Sequence, residues 1–151
     1  MLVHELLTPT STLAGLEGCS KKRTLEQVSH LLAELNPEMD ESSIFNGLHG
    51  REKLGSTGVG DGIAIPHCRL SGCTDPKGFF IKLEEPIDFD AIDGKPVDLI
   101  FTLVVPEDAT SEHLETLASI AELFSKDDVR SALREADNSQ SLYNTIRHLS
   151  A

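Results

Sequence analysis

Basic residues are scarce in this chain: 13 Lys and Arg stand against 25 Asp and Glu in 151 residues, a formal charge of -12. So acidic a surface repels a phosphate-lined partner over most of its area, which argues against direct DNA or RNA binding. Long hydrophobic runs are missing as well. No stretch approaches the length of a membrane span, so membrane insertion is not expected. The opening MLVHELLTPTSTLAG lacks a basic n-region and interrupts its apolar residues with His4 and Glu5, unlike a signal peptide. Cysteine is sparse and odd in number, with Cys19, Cys68 and Cys73 only, which fits a reducing compartment better than a disulfide scaffold. The expectation is a soluble, cytoplasmic protein. With 39% hydrophobic residues, residues 1–151 suffice for one domain with a sizeable core and are too few for two ordinary ones.

What is present is periodic. In SKKRTLEQVSHLLAELN, Leu25, Val28, Leu32 and Leu35 recur at helical spacing, Ser20 can cap the entry, and Asn36-Pro37 stops the run. A shorter helix is expected from about Asp40, with Met39, Ile44 and Leu48 on its apolar side and Arg51, Glu52 and Lys53 in its last turn. GSTGVGDG, residues 55–62, has four glycines in eight positions and reads as a loop. It feeds a short strand, Ile63 to Ile65. GFFIKLE, residues 78–84, alternates as a strand with one wetter face, and Asp93-Gly94 marks a turn. VDLIFTLVVP, residues 97–106, is almost continuously apolar and branched, as in a strand covered on both faces.

Beyond Pro106 the period becomes helical, with stripes Leu114/Leu117/Ala121/Phe124, Val129/Leu133 and Leu142/Ile146/Leu149. Asn138-Ser139 separates the last two. A weak strand signal at Leu13 to Glu17 completes the set. Strands with helices before and after them predict an α/β fold, a three-layer α/β/α sandwich with a mixed central sheet.

One constellation carries chemistry. Pro66 fixes φ, offers no N–H to a neighbouring strand and keeps Ile65 extended, so the short strand is expected to end there and present His67 at its C-terminal end, where ligand crevices open in α/β sheets. The glycine-rich loop brings exposed N–H groups and the hydroxyls of Ser56 and Thr57, a composition suited to phosphate. Arg51, one short segment upstream, is a fixed positive charge able to clamp phosphate oxygens. Each piece alone is ordinary: the loop has neither the Gly-Lys pair of a Walker loop nor a dinucleotide fingerprint. His4, His30, His49 and His148 are read as solvated or structural. His67, Cys68 and Cys73 lack a fourth ligand and a recognised zinc spacing, so no metal and no cofactor is expected.

Taken in order, REKLGSTGVGDGIAIPH closely resembles the active-site signature of the type II IIA domains of the bacterial phosphoenolpyruvate-dependent phosphotransferase system, which include mannitol, fructose and nitrogen-regulatory IIA proteins. The likeness extends through SKKRTLEQVSHLLAEL before the signature and through PIDFDAIDGKPVDLIFTLVVP and HLETLASIAELF after it, stretches most similar to the nitrogen-regulatory member. The resemblance implies that His67 accepts a phosphoryl group from an HPr-like carrier protein and that Arg51 clamps it. It also implies that His113, at the first turn of the helix after the buried strand, donates to a phosphoryl oxygen. A helix N-terminus favours an anion in such a position. The implied role is a regulator whose phosphorylation state selects its protein partners. Two alternatives share the site: a stand-alone fructose- or mannitol-type IIA component, and a module that binds an anion without transferring it.

Overall fold

The computed structural model describes residues 3–108 and 112–150, with the side chain of Glu112 left aside. Its centre is a six-stranded mixed sheet. The strands are β1 (Thr12–Leu16), β2 (Gly58–Gly60), β3 (Ile63–Ala64), β4 (His67–Leu70), β5 (Lys77–Ile87) and β6 (Val97–Pro106). They lie in the order β1-β5-β6-β3-β2, and β4 also pairs with β6. Helices α1 (Lys21–Leu35) and α2 (Glu41–Lys53) precede most of the sheet, and α3 (Glu112–Phe124), α4 (Asp127–Glu135) and α5 (Ser139–Leu149) follow it.

Short polar side chains start three of these helices as N-caps, each accepting a backbone N–H: Ser20 from Arg23, Asp40 from Ser43 and Asn138 from Ser141. At the far end of α1, the N–H groups of Asn36, backbone and side chain, both donate to the Leu32 carbonyl. The cap expected at Ser20 is therefore made.

The sheet separates two apolar layers. On one face, Leu25, Val28, Leu32, Ile44 and Leu48 of α1 and α2 pack on Phe79, Ile81, Ile100 and Val104. On the other, Ile120, Phe124, Leu133, Leu142 and Ile146 pack on Phe80, Leu99, Phe101 and Leu103. The rings of Phe80, Phe101 and Phe124 meet in tilted and edge-on pairs with centroids 5.5 to 6.1 Å apart, each pair adding roughly 0.5–1.5 kcal/mol to simple burial. The three-layer α/β/α arrangement is the expected one.

Four local expectations are corrected. The glycine-rich segment is not all loop: Gly58–Gly60 forms β2, and Asp61 and Gly62, both at positive φ, turn it back into β3 as a two-residue hairpin. Phe79, Ile81 and Leu83 form the dry face of β5 and Lys82 and Glu84 lie on the wetter one as expected, but that wetter face is confined to the second half of the strand, since Phe80 on it is buried. In α3 the buried stripe is Ile120, Leu123 and Phe124, with Leu117 and Ala121 packed against it, while Leu114 is 65% exposed.

Fourth, the strand does not end at Pro66. Ile63 lies opposite Leu99 and Ala64 opposite Ile100, then His67 opposite Leu103 and Cys68 opposite Val104, so the same parallel register on β6 crosses the proline. Pro66 removes one rung of the ladder by lacking an N–H, yet its carbonyl still accepts from Leu103 N–H at 2.9 Å. His67 opens the second half of one interrupted strand.

Candidate active site

Strand β4 has β6 on one side, and no further strand pairs with it among the described residues. Helix α2 lies against this strand so closely that a Cβ on Gly47 would be 2.9 Å from the Cys68 Sγ. Where the open edge of β4 runs out between α2 and α3, a crevice of about 420 Å³ forms. Gly47, Gly50, Arg51 and Leu54 line it from α2 and its end, Leu103 and Val105 from β6, and His113, Leu114 and Leu117 from α3. His67, Cys68 and Arg69 contribute from β4.

The three residues proposed to act together thus share one cavity: His67, His113 and Arg51. The other two do not join them. Ser56 Oγ donates to the Phe89 carbonyl at 2.7 Å and accepts from Gly58 N–H, and the Thr57 hydroxyl, buried, donates to the Glu52 carboxylate. Their hydroxyls brace the loop, and neither residue lines the crevice. A composition suited to phosphate says nothing about which way its hydroxyls turn.

Arg69 was not singled out from the sequence, although a signal was there. Residues i and i+2 of a strand share a face, so a strand continuing beyond Pro66 puts Arg69 beside His67. Ending the strand at the proline hid it.

The His67 ring is fixed by its own strand. Its Nδ1 lies 2.8 Å from the Ile65 carbonyl oxygen, which can only accept, so Nδ1 carries the proton. In the neutral ring the lone pair is then on Nε2. Arg51 is held across the end of α2 by Nη1 donating to the Gly55 carbonyl at 2.8 Å, its one hydrogen bond among the described residues. His113 sits at the start of α3, and its buried Nδ1 has no hydrogen-bond partner among the described residues. Buried polar atoms are seldom left so.

Electrostatically the crevice is the inverse of the chain. A protein of charge -12 lines it, among the described residues, with two arginines, two histidines and no carboxylate. The opening carries exposed Leu54 and Leu114. This is a small cationic pocket with an apolar rim, suited to a phosphoryl group delivered on the surface of another protein.

Behind the ring the chemistry is inert. Burial, then the neighbouring Cys73, pushes the Cys68 thiol from its ordinary 9.0 up to about 12. Burial likewise raises Cys73. Neither is a thiolate at neutral pH, so neither competes with His67 as a nucleophile.

Comparison with known proteins agrees with this geometry. Residues 5–149 match the family model described as phosphoenolpyruvate-dependent sugar phosphotransferase system, EIIA 2. A nitrogen regulatory protein of Pseudomonas aeruginosa is 53% identical over 144 residues, covering 95% of this chain and 94% of that one. The crystal structure of nitrogen regulatory protein IIA-Ntr from Neisseria meningitidis superposes with a TM-score of 0.86 at 42% identity, over 95% of this chain and 98% of the other. IIA mannitol from Escherichia coli shares the fold, with a TM-score of 0.76 at 16% identity over 93% and 98% of the two chains. The chain belongs to the EIIA 2 family of the phosphoenolpyruvate-dependent phosphotransferase system, and its relatives at 53% and 42% identity are nitrogen regulatory proteins.

Proposed function

We propose that this protein is a phosphocarrier that takes a phosphoryl group from an HPr-like protein onto Nε2 of His67 and signals through its phosphorylation state, as a nitrogen-regulatory IIA protein. The observation that carries the reading is the bond from Nδ1 to the Ile65 carbonyl, which leaves the Nε2 lone pair in a crevice lined by Arg51, Arg69 and His113.

The step balances simply. Nε2 bonds to phosphorus as the N–P bond of the donor's phosphohistidine breaks, and the donor imidazole keeps that electron pair. The proton on Nδ1 stays in place, so the ring gains positive character that the Ile65 carbonyl stabilises. Such transfers have loose transition states, and the protein contributes alignment and charge stabilisation. Arg51 and Arg69 answer the equatorial oxygens, and His113 supplies a further hydrogen-bond donor. Leu54 and Leu114 offer the donor protein apolar contact that excludes water from the transfer.

Incubation with phosphoenolpyruvate, enzyme I and an HPr-type carrier tests the reading. The expected product is one acid-labile, base-stable phosphoryl group on the wild type and none on His67→Ala. A wild-type chain that binds inorganic phosphate but gains no covalent group would be a binding module, and undiminished labelling of His67→Ala would move the acceptor elsewhere.

A further inference from the structure

Glu52 sits in a costly place. It is 7% exposed, and it belongs to the last turn of α2, the negative end of the helix dipole, where a buried carboxylate is disfavoured twice over. It is held by three donors: Oε1 accepts from Thr57 N–H and from Lys21 Nζ, both at 3.0 Å, and Oε2 accepts from the Thr57 hydroxyl.

The bonds do not stop at Thr57. Its carbonyl accepts Ile65 N–H at 3.0 Å, and the Ile65 carbonyl accepts His67 Nδ1–H at 2.8 Å. Strand geometry explains why that carbonyl is available. Pro66 turns its carbonyl toward β6, so the N–H and C=O of Ile65 face the other way, toward β2, which ends before it can supply a second rung. The Ile65 carbonyl would be an orphan acceptor; the imidazole two residues on satisfies it.

We infer that Glu52 is a positioning residue for His67: through Thr57 and the backbone of Ile65 it holds the carbonyl that fixes the Nδ1–H tautomer and so selects Nε2 as the nucleophile. This rests on the phosphocarrier reading for its consequence, not for its geometry. The coupling is positional: by holding both the N–H and the hydroxyl of Thr57, Glu52 fixes the backbone that receives Ile65 N–H, and with it the direction in which the Ile65 carbonyl points. A neutral Gln keeps the shape but has one acceptor oxygen for donors that now use two. Lys21 is not stranded by the change, since it also lies 3.7 Å from Asp90 and over the Phe89 ring.

The test reads the tautomer directly, by ¹⁵N NMR of ring-labelled histidine in the unphosphorylated protein at a pH where His67 is neutral. Wild type should show a protonated Nδ1 and a bare Nε2. Glu52→Gln should move both signals toward the average of the two tautomers and slow phosphorylation on the order of 10-fold at saturating donor, the scale typical of support shells behind a reactive group, with KM for the donor protein unchanged. Thr57→Val, which retains the backbone bond to Glu52, should give a smaller shift of the same sign, and Thr57→Ser should match wild type. If His67 keeps its wild-type tautomer in Glu52→Gln and in Thr57→Val, the inference is overturned even where melting temperatures fall. Because the tautomer is read without donor, a wild-type chain that takes no phosphate would overturn the phosphocarrier reading alone.

Discussion

Gly47 and Cys68 touch: a Cβ on Gly47 would lie 2.9 Å from the Cys68 Sγ and 3.1 Å from its Cβ, so α2 rests directly on the strand that carries His67. Gly50, one turn along the same helix, has nothing within 4 Å of a notional Cβ. The two glycines should therefore respond oppositely to alanine. Gly50→Ala gains helix propensity, up to about 1 kcal/mol. Gly47→Ala must push α2 off β4, and overpacking of this kind costs ~1–3 kcal/mol, outweighing the same gain. Adding Cys68→Ala, which removes the nearer atom, should recover part of the loss. Urea unfolding of the three variants beside wild type measures this, and a Gly47→Ala protein as stable as Gly50→Ala would disprove the close contact.

The thiol behind the active histidine gives a pH signature. Its native pKa of about 12 lies above the ordinary 9.0 because of burial. Stability held by the neutral thiol is therefore complete below pH 9 and is lost as pH rises toward 12, when the unfolded chain ionises Cys68 and the native chain does not. The contribution is about 1.4 kcal/mol per pH unit across that window, and Cys68→Ala should flatten it. Alkylation gives a second readout: Cys19 is exposed while Cys68 and Cys73 are buried, so at neutral pH the native protein should react at Cys19 and the unfolded protein at all three. Rapid native labelling of Cys68 would contradict the buried site.

Much of the fold was legible because its signals are local. Ser20 and Asn138 announce their helices through side chains that bond within one turn, and the alternation of Phe79, Ile81 and Leu83 needs only the strand period. What was not legible depends on neighbours. Pro66 looks like a terminator until β6 is seen accepting the strand on both sides of it. Leu114 has the spacing of a core residue, but at the start of α3 the sheet edge beneath it has given way to the crevice. Ser56 and Thr57 have phosphate-binding chemistry, and only the positions of Phe89 and Glu52 show where that chemistry is spent. His67 was legible as the candidate acceptor; the bond from its Nδ1 to the Ile65 carbonyl was not.

The cationic lining predicts graded kinetics. Arg51→Ala and His113→Ala should each slow phosphoryl transfer on the order of 10² to 10³-fold, the usual loss for one electrostatic donor to a transition state, while His67 remains the acceptor. Arg69→Ala belongs to the same experiment, because Arg69 lines the crevice from the same strand as His67; a loss of about 10-fold or more is expected for this exposed charge. Single-turnover transfer from a phosphorylated carrier separates these effects from donor binding. Wild-type rates in both Arg51→Ala and His113→Ala would refute the clamp.

The last expectation concerns partners. Phosphorylation of His67 would add about 1.5 to 2 negative charges to a crevice lined by Arg51 and Arg69 on a chain of charge -12. Arg51, Arg69 and His113 would turn to the phosphate and cease to be available to anything docking above it. A partner seated on Leu54 and Leu114 with its own acidic groups over the arginines would lose those pairings and meet a like charge, so it should prefer the unphosphorylated protein. His67→Glu imitates the charge crudely, and should weaken such a partner on the order of 10-fold or more, the scale of one lost charge pair at an interface; His67→Ala, which adds no charge, should not. Pull-down with wild type, His67→Ala and His67→Glu, followed by affinity measurements on what is recovered, reads the difference. Partners that bind all three forms equally would mean that the phosphate is cargo and not signal, since a carrier serving sugar uptake has no need to discriminate by charge once the group has been handed on.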